Sequence, residues 1–148
     1  MIEERIIHDF RDVAFTEAFR RYFEELGIPV RDWEALWEQM NEGGNTAILH
    51  CERGKTVGFL QYQIITSKSW FFEERLGFVR EFWIDAGYRG QGYGSALLAR
   101  AEQKMREVGI ARMILTTDSA EGFYRKQGYR KRADILAKNR DCVYVKDL

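Results

Sequence analysis

Arg89-Gly90-Gln91-Gly92-Tyr93-Gly94 is the stretch on which the reading of this chain turns. It follows an apolar run over residues 78–84 and precedes a helix-like run that begins near Ser95. A strand, a glycine-rich turn and a helix start, in that order, form an anion cradle. Glycine tolerates positive φ and lets a ligand come up against the backbone, and the first turn of a helix carries N–H groups with no intrahelical partner. The natural guest is a phosphate or pyrophosphate. A Walker loop would need Lys-Ser or Lys-Thr after its last glycine, and Gly94 is followed by Ser95-Ala96. A dinucleotide fingerprint, G-x-G-x-x-G, fits at Gly90 and Gly92 but needs a third glycine where Ser95 stands. Asp118 falls roughly where a ribose-binding acid would be expected, which keeps a nucleotide-binding oxidoreductase as a minor alternative.

The pattern that fits every position is [Arg/Gln]-x-x-Gly-x-[Gly/Ala], read from Arg89, Gly92 and Gly94. On it the chain resembles the GNAT superfamily of acyl-CoA-dependent N-acyltransferases, where this pattern is the coenzyme A pyrophosphate loop. A second segment, Phe123-Tyr124-Arg125-Lys126-Gln127-Gly128-Tyr129, resembles that family's Tyr-x-x-x-Gly-[Phe/Tyr] motif. The two motifs stand at the family's spacing, and together the resemblance covers residues 78–129. The resemblance implies acetyl-CoA or coenzyme A as acyl donor, with no metal. It implies a cofactor site built from Phe82, Trp83, Ile84, Arg89, Gly90, Gln91, Gly92, Tyr93, Gly94, Ser95 and Thr117. A homodimer is compatible with it.

Composition sets the frame. With 148 residues, 45% of them apolar, and a single proline, the chain reads as one domain over residues 1–148, long enough to bury roughly two-thirds of its unfolded surface. The acidic N-terminus lacks a signal-like apolar segment, and no apolar run approaches the roughly 18 residues of a membrane span, so a cytoplasmic protein away from the membrane is expected. Cys51 and Cys142 match no metal spacing and read as reduced thiols. The net charge of zero argues against nucleic-acid binding, yet it hides an asymmetry. Residues 1–74 hold 8 basic and 14 acidic side chains, residues 75–148 hold 15 and 9. A basic half suits a polyanionic cofactor and an acidic half suits a cationic amine acceptor, with Glu73 and Glu74 as candidate ammonium-binding groups.

Periodicity orders the elements. Residues 3–8 alternate as a strand. Asp9 or Asp12 caps a helix with Val13, Phe15, Ala18, Phe19, Tyr22 and Phe23 on one stripe, and Asp32 opens a second with Trp33, Leu36, Trp37 and Met40. Residues 47–51 and 56–65 form a hairpin, 66–75 read as irregular, and 76–85 feed the glycine loop. Strand 110–116, a short helix over 120–127 capped by Ser119, and strands over 129–135 and 142–146 follow. The order β-αα-βββ-α-β-α-ββ is an α/β sandwich, a mixed β-sheet flanked by helices, and a GNAT-like fold is what the resemblance implies.

Acyl transfer to an amine sets three chemical demands. A lysine-like amine is neutral in only about 1 molecule in 2,500 at pH 7, a handicap near 4.6 kcal/mol, so a general base helps. Glu81, on the strand leading to the loop, is the candidate base, although Arg80 stands where many relatives of the resembled family carry Glu. The thioester oxygen needs fixed donors as it gains charge, and the resemblance assigns these to main-chain groups near Phe82 and Ile84. The departing thiolate is best protonated, and Tyr124 is the candidate acid. Thr117 stands where many relatives have a cofactor-binding asparagine. Neither cysteine has partners suggesting an activated thiolate, so direct attack in a ternary complex is expected rather than an acyl-cysteine. A module that binds or senses acyl-CoA without turnover is the alternative.

Overall fold

The computed structural model describes residues 1–148. The elements follow the expected order. They are β1 (Ile2–Ile7), α1 (Val13–Leu26), α2 (Trp33–Glu42), β2 (Thr46–Glu52), β3 (Lys55–Lys68), β4 (Glu73–Ile84), α3 (Tyr93–Glu107), β5 (Arg112–Thr117), α4 (Glu121–Lys126), β6 (Arg130–Lys131) and β7 (Cys142–Asp147). The seven strands are hydrogen-bonded in the order β1-β2-β3-β4-β5-β7-β6. The pairs β1/β2, β2/β3, β5/β7 and β6/β7 are antiparallel, whereas β4 and β5 run parallel. No helix is long and apolar enough to cross a membrane. Two compact units make up the chain, residues 1–63 with 80–101, and residues 64–79 with 102–148.

The first unit is built on an aromatic core. Asp12 and Asp32 cap α1 and α2 by accepting from the N–H groups of Ala14 and Ala35, which satisfies donors no helix can pair internally. Phe15, Ala18 and Phe19 of α1 and Trp37 and Met40 of α2 recur at helical spacing and are fully buried against Phe10, Ala47, Leu49 and Phe59. Each large apolar side chain withdrawn this way contributes about 1.5–3 kcal/mol. Val13, expected on the same stripe, is 73% exposed, because as the first helical residue it precedes the turn that meets the sheet. Gly58 on β3 lets the end of β4 come close. A Cβ there would sit 2.6 Å from Ile84 Cδ1 and 3.1 Å from the Trp83 carbonyl oxygen.

In the second unit β5 and β7 pair along their length, from Arg112 opposite Asp147 to Thr117 opposite Cys142. A buried polar cluster sits within it. The Tyr129 hydroxyl donates to Glu102 at 2.8 Å, and Lys146 Nζ lies 3.0 Å from the same carboxylate. Two elements depart from the sequence reading. Residues 66–75 are not irregular: β3 runs on to Lys68, β4 starts at Glu73, and Ser69 and Phe72 close a tight turn through two hydrogen bonds of 2.8 and 3.2 Å. That turn leaves Trp70, Phe71 and Phe72 at 96%, 87% and 79% exposure, so these aromatics are not core. The strand expected over residues 129–135 is only Arg130–Lys131, because Arg132 turns aside to grip Asp134 with two bonds of 2.8 and 2.7 Å.

Candidate active site

The glycine loop leaves β4 through a pinned corner. Asp85 takes the Gly87 N–H on one carboxylate oxygen and Arg21 on the other, at 3.0 and 2.6 Å, while its own N–H donates to the Val57 carbonyl. Arg21 in turn holds the Thr56 carbonyl at 2.6 Å and lies over the Trp83 ring. Past this corner Gly90 and Gly92 adopt φ values of 75° and 87°, the left-handed region that side chains avoid. A Cβ at either would meet nothing within 4 Å, so the space over them is open. The first helical hydrogen bond of α3 runs from Ala96 to the Gly92 carbonyl, which makes Gly92 the cap residue. Backbone N–H groups of Tyr93 and Gly94 therefore lie in the first turn, at the positive end of a 15-residue helix.

Arg89 is arranged differently from what the loop pattern suggests. Its Nε donates to the Ile84 carbonyl at 2.8 Å, and its terminal nitrogen reaches both Glu25 oxygens at 2.8 and 2.6 Å. The guanidinium is committed to closing the loop onto β4 and α1, which leaves backbone N–H groups as the donors at the start of α3. Gln91 likewise turns back, toward the Gly87 carbonyl at 3.3 Å.

Glu81 is the most perturbed carboxyl in the loop's feeding strand. Burial pushes it up to about 7, with the nearby Arg80 charge pulling weakly the other way. One of its oxygens is fully buried with no hydrogen-bond partner. Arg80 does not neutralise it by contact, since its guanidinium is hydrogen-bonded to Gln39 of α2 at 2.8 Å. Two residues on, the Trp83 side chain belongs to the aromatic core beside Tyr22 and Phe59, so any contact it makes with a cofactor is through the main chain. The parallel pairs of β4 with β5 are Gly77 with Met113 and Phe78 with Ile114, although β4 runs on to Ile84.

Tyr124 lies buried on α4, edge-on to Phe123 and Tyr129, and burial raises its hydroxyl to about 12. Thr117 closes β5 and takes the Ala120 N–H on its hydroxyl at 3.0 Å. Thr117, not Ser119, thus secures the entry to α4, whose cap residue Ala120 offers no side-chain bond. Its hydroxyl proton stays able to donate. Three ion pairs in the first unit cross the division between the sequence halves. Arg89 pairs with Glu25, Arg100 with Glu4 and Asp85 with Arg21, each joining the two halves. Glu74 is held by Arg112 at 3.2 Å. Sequence reasoning missed Arg21, Glu25 and Asp85. An aspartate at a strand end before a glycine turn was the available signal for the last, and nothing local announced the other two.

The strand bearing Glu81 leads into a left-handed glycine turn and the open N-terminus of α3, an arrangement that presents backbone donors to an anion. The chain belongs to the Acetyltransferase (GNAT) family, whose profile it matches over residues 7–129. It is 41% identical over 85 residues to the blasticidin-S acetyltransferase of Streptomyces morookaense, an alignment covering 55% of this chain and 54% of that protein. The match therefore spans about half the length of this relative. A predicted acetyltransferase of Clostridium acetobutylicum, solved with acetyl-CoA, superposes with a TM-score of 0.78 at 17% identity over 93% of this chain and 95% of that one. The N-acetylglutamate synthase of Neisseria gonorrhoeae, solved with coenzyme A and N-acetyl-glutamate, gives 0.73 at 20% identity over 100% of this chain and 35% of its own. At such identities these two structures establish the fold alone.

Proposed function

We propose that this chain moves an acetyl group from acetyl-CoA to a primary amine by direct attack in a ternary complex. The observation that carries the reading is Glu81, a half-buried carboxyl with one buried, unpartnered oxygen, held up to about 7 on the strand that feeds the glycine loop. A module that only senses acyl-CoA has no use for a carboxyl held near neutrality, and a strained, unpaired charge without a task is a cost to the fold.

In this reading the pyrophosphate of acetyl-CoA rests on the backbone N–H groups at the start of α3, over Gly90 and Gly92, and Ser95 and Thr117 supply hydroxyl contacts. Arg89 keeps the loop closed rather than meeting the phosphates itself. Acetyl-CoA supplies an acetyl group activated as a thioester. The acceptor arrives as an ammonium and gives one proton to Glu81; its nitrogen then bonds the acetyl carbon and sheds a second proton to solvent as the carbon–sulfur bond breaks, leaving a neutral amide. Tyr124 donates a hydrogen bond to the departing sulfur, which ends as the thiol by taking a proton from solvent, while Glu81 returns its own there. The N-acetylglutamate synthase is named for an N-acetylated product, which supports an amine acceptor here, and the blasticidin-S acetyltransferase is named for acetylating a small molecule.

Two measurements test the reading. Calorimetry should show coenzyme A binding and NADH silent, and acetyl-CoA should release free thiol when mixed with members of an amine library. Tight NADH binding with silent coenzyme A would sink it.

A further inference from the structure

The hairpin of β3 and β4 outgrows the sheet that carries it. β2 begins at Thr46, opposite Tyr62, and β4 pairs with β5 at Gly77 and Phe78. Residues 64–75 therefore form an arm with no third strand beside it, made of two strand ends and the turn between Ser69 and Phe72. Every residue of this arm is exposed. A ribbon of two strands with neither face covered is marginal at best in water.

The composition of the arm is not that of a solvated ribbon. Trp70, Phe71 and Phe72 stand at its tip, and Ile64 and Ile65 are exposed on its β3 side. An aromatic side chain offers about 150–250 Å² for burial, so the three at this tip present roughly 400–650 Å² at their exposures. The largest apolar patch of an ordinary monomer is about 300–600 Å². Two such tips laid together withdraw about 800–1,300 Å² before any isoleucine or backbone is counted, against about 1,200–2,000 Å² for a specific interface of standard size.

Charge selects among partners. The arm carries Lys68 and Arg75 against Glu73 and Glu74, two of each sign. Glu74 is held by Arg112 at 3.2 Å, and Lys68, Glu73 and Arg75 enter no ion pair within 4.0 Å. Lys68 ends β3 and Glu73 opens β4, so one base and one acid flank the aromatic tip. An apolar tip that docks on an anionic membrane is ringed by cations, and this one is not. A two-fold interface sets one surface against itself, residue i meeting j while j meets i, and an apolar tip flanked by both signs of charge is complementary to itself in this way.

We infer that the arm is an interface for a second copy of this chain. The aromatic tips of two arms pack across a two-fold axis, and Lys68 of each copy faces Glu73 of the other. Burial of the tips supplies the affinity, and the crossed charge pairs fix the register. The arm contains none of the residues assigned to acetyl transfer, so the inference is tested without turnover. Silent coenzyme A would defeat the acetyl-transfer reading and leave this one standing.

Sedimentation velocity between about 1 and 100 µM, the range of a moderate self-association, reads the mass against the 17.5 kDa of one copy. The wild type should reach twice that mass. Trp70→Ser/Phe71→Ser changes only exposed side chains, so its circular dichroism should match the wild type while the dimer weakens at least about 100-fold. Lys68→Glu and Glu73→Lys each set like charges face to face and should each weaken the dimer about 10-fold. Mixing these two single variants makes both crossed pairs opposite in sign again, so the mixture should recover the dimer mass, although within each arm the like charges remain. A wild type that stays monomeric, a dimer untouched by Trp70→Ser/Phe71→Ser, or a mixture no tighter than its components would each overturn the inference. So would a monomer that floats with vesicles of phosphatidylcholine and phosphatidylserine and releases them in Trp70→Ser/Phe71→Ser, which would give the tip to a membrane.

Discussion

Glu81→Gln separates a poised base from a structural carboxylate, because the two roles predict opposite signs in stability. Burial raises the Glu81 carboxyl from 4.5 to about 7, so the folded chain holds this proton more tightly than the unfolded chain does. Below pH 4.5 both states are protonated and the fold carries no penalty. As pH rises toward 7 only the unfolded chain ionises freely, and stability is lost until the folded carboxyl ionises as well. The full span corresponds to about 3 kcal/mol, of which about 2 kcal/mol falls between pH 5.5 and 9. Glutamine cannot ionise, so the stability of Glu81→Gln relative to wild type should improve by about 2 kcal/mol across that range, whatever constant cost the buried amide adds. Chemical denaturation at four pH values measures it. Turnover should move the other way, falling about 10²- to 10³-fold and losing its rise near pH 7. A Glu81→Gln protein that weakens as pH rises, or that keeps the wild-type pH profile of kcat, would refute the argument.

Other substitutions test the loop, the strand approach and the buried cluster. Gly92→Val forces a β-branched residue into φ 87° at the cap of α3, and isothermal titration should show coenzyme A affinity falling at least about 10-fold, whereas Gly122→Ala, with open space around it, should leave affinity unchanged. Gly58→Ala drives a methyl to 2.6 Å from Ile84 Cδ1, against the end of β4, and should cost about 1–3 kcal/mol in a denaturant titration. Glu102→Ala leaves Lys146 without its carboxylate and Tyr129 without its acceptor, and should cost about 3 kcal/mol; Tyr129→Phe removes one bond of 2.8 Å and should cost about 1.5 kcal/mol. Tyr124→Phe keeps the ring in place and should lower kcat about 10- to 100-fold with the KM for acetyl-CoA little changed, as single-turnover kinetics would reveal.

The parts of the fold that were legible in the sequence are those governed by short-range rules. The stripe Phe15, Ala18, Phe19 and the caps Asp12 and Asp32 follow from helical period and side-chain reach, and the glycine turn announced itself because few residues accept its φ values. What stayed hidden depends on distant partners. Arg89 looked like a free cation until Glu25, 64 residues away, took it. Local competition misled too: Ser119 is the better cap by residue type, but Thr117 holds the Ala120 N–H from the end of β5. The aromatic run Trp70 to Phe72 sits on a tight turn that exposes it, which its composition does not announce. That one Glu81 oxygen is buried without a partner is invisible in any sequence, since it is a property of everything placed around it.

Burial shifts both titrating groups upward, and the consequences for catalysis are unequal. An ordinary carboxylate taking a proton from an ammonium near 10.4 faces an uphill step of about 8 kcal/mol; raising Glu81 to about 7 cuts this to about 4.6 kcal/mol. Burial therefore makes Glu81 a better base. It makes Tyr124 a poorer acid. A phenol at about 12 facing a thiolate near 8.5 would give up its proton only at a cost of about 5 kcal/mol, so full transfer to the departing sulfur is disfavoured. What the hydroxyl supplies is a hydrogen bond to sulfur as charge develops there, worth less than proton transfer and insensitive to pH below about 12. In the proposed reaction the same ordering ranks the two side chains: the amine's proton is the larger barrier, which Glu81 would address, while Tyr124 would ease the exit of the thiolate.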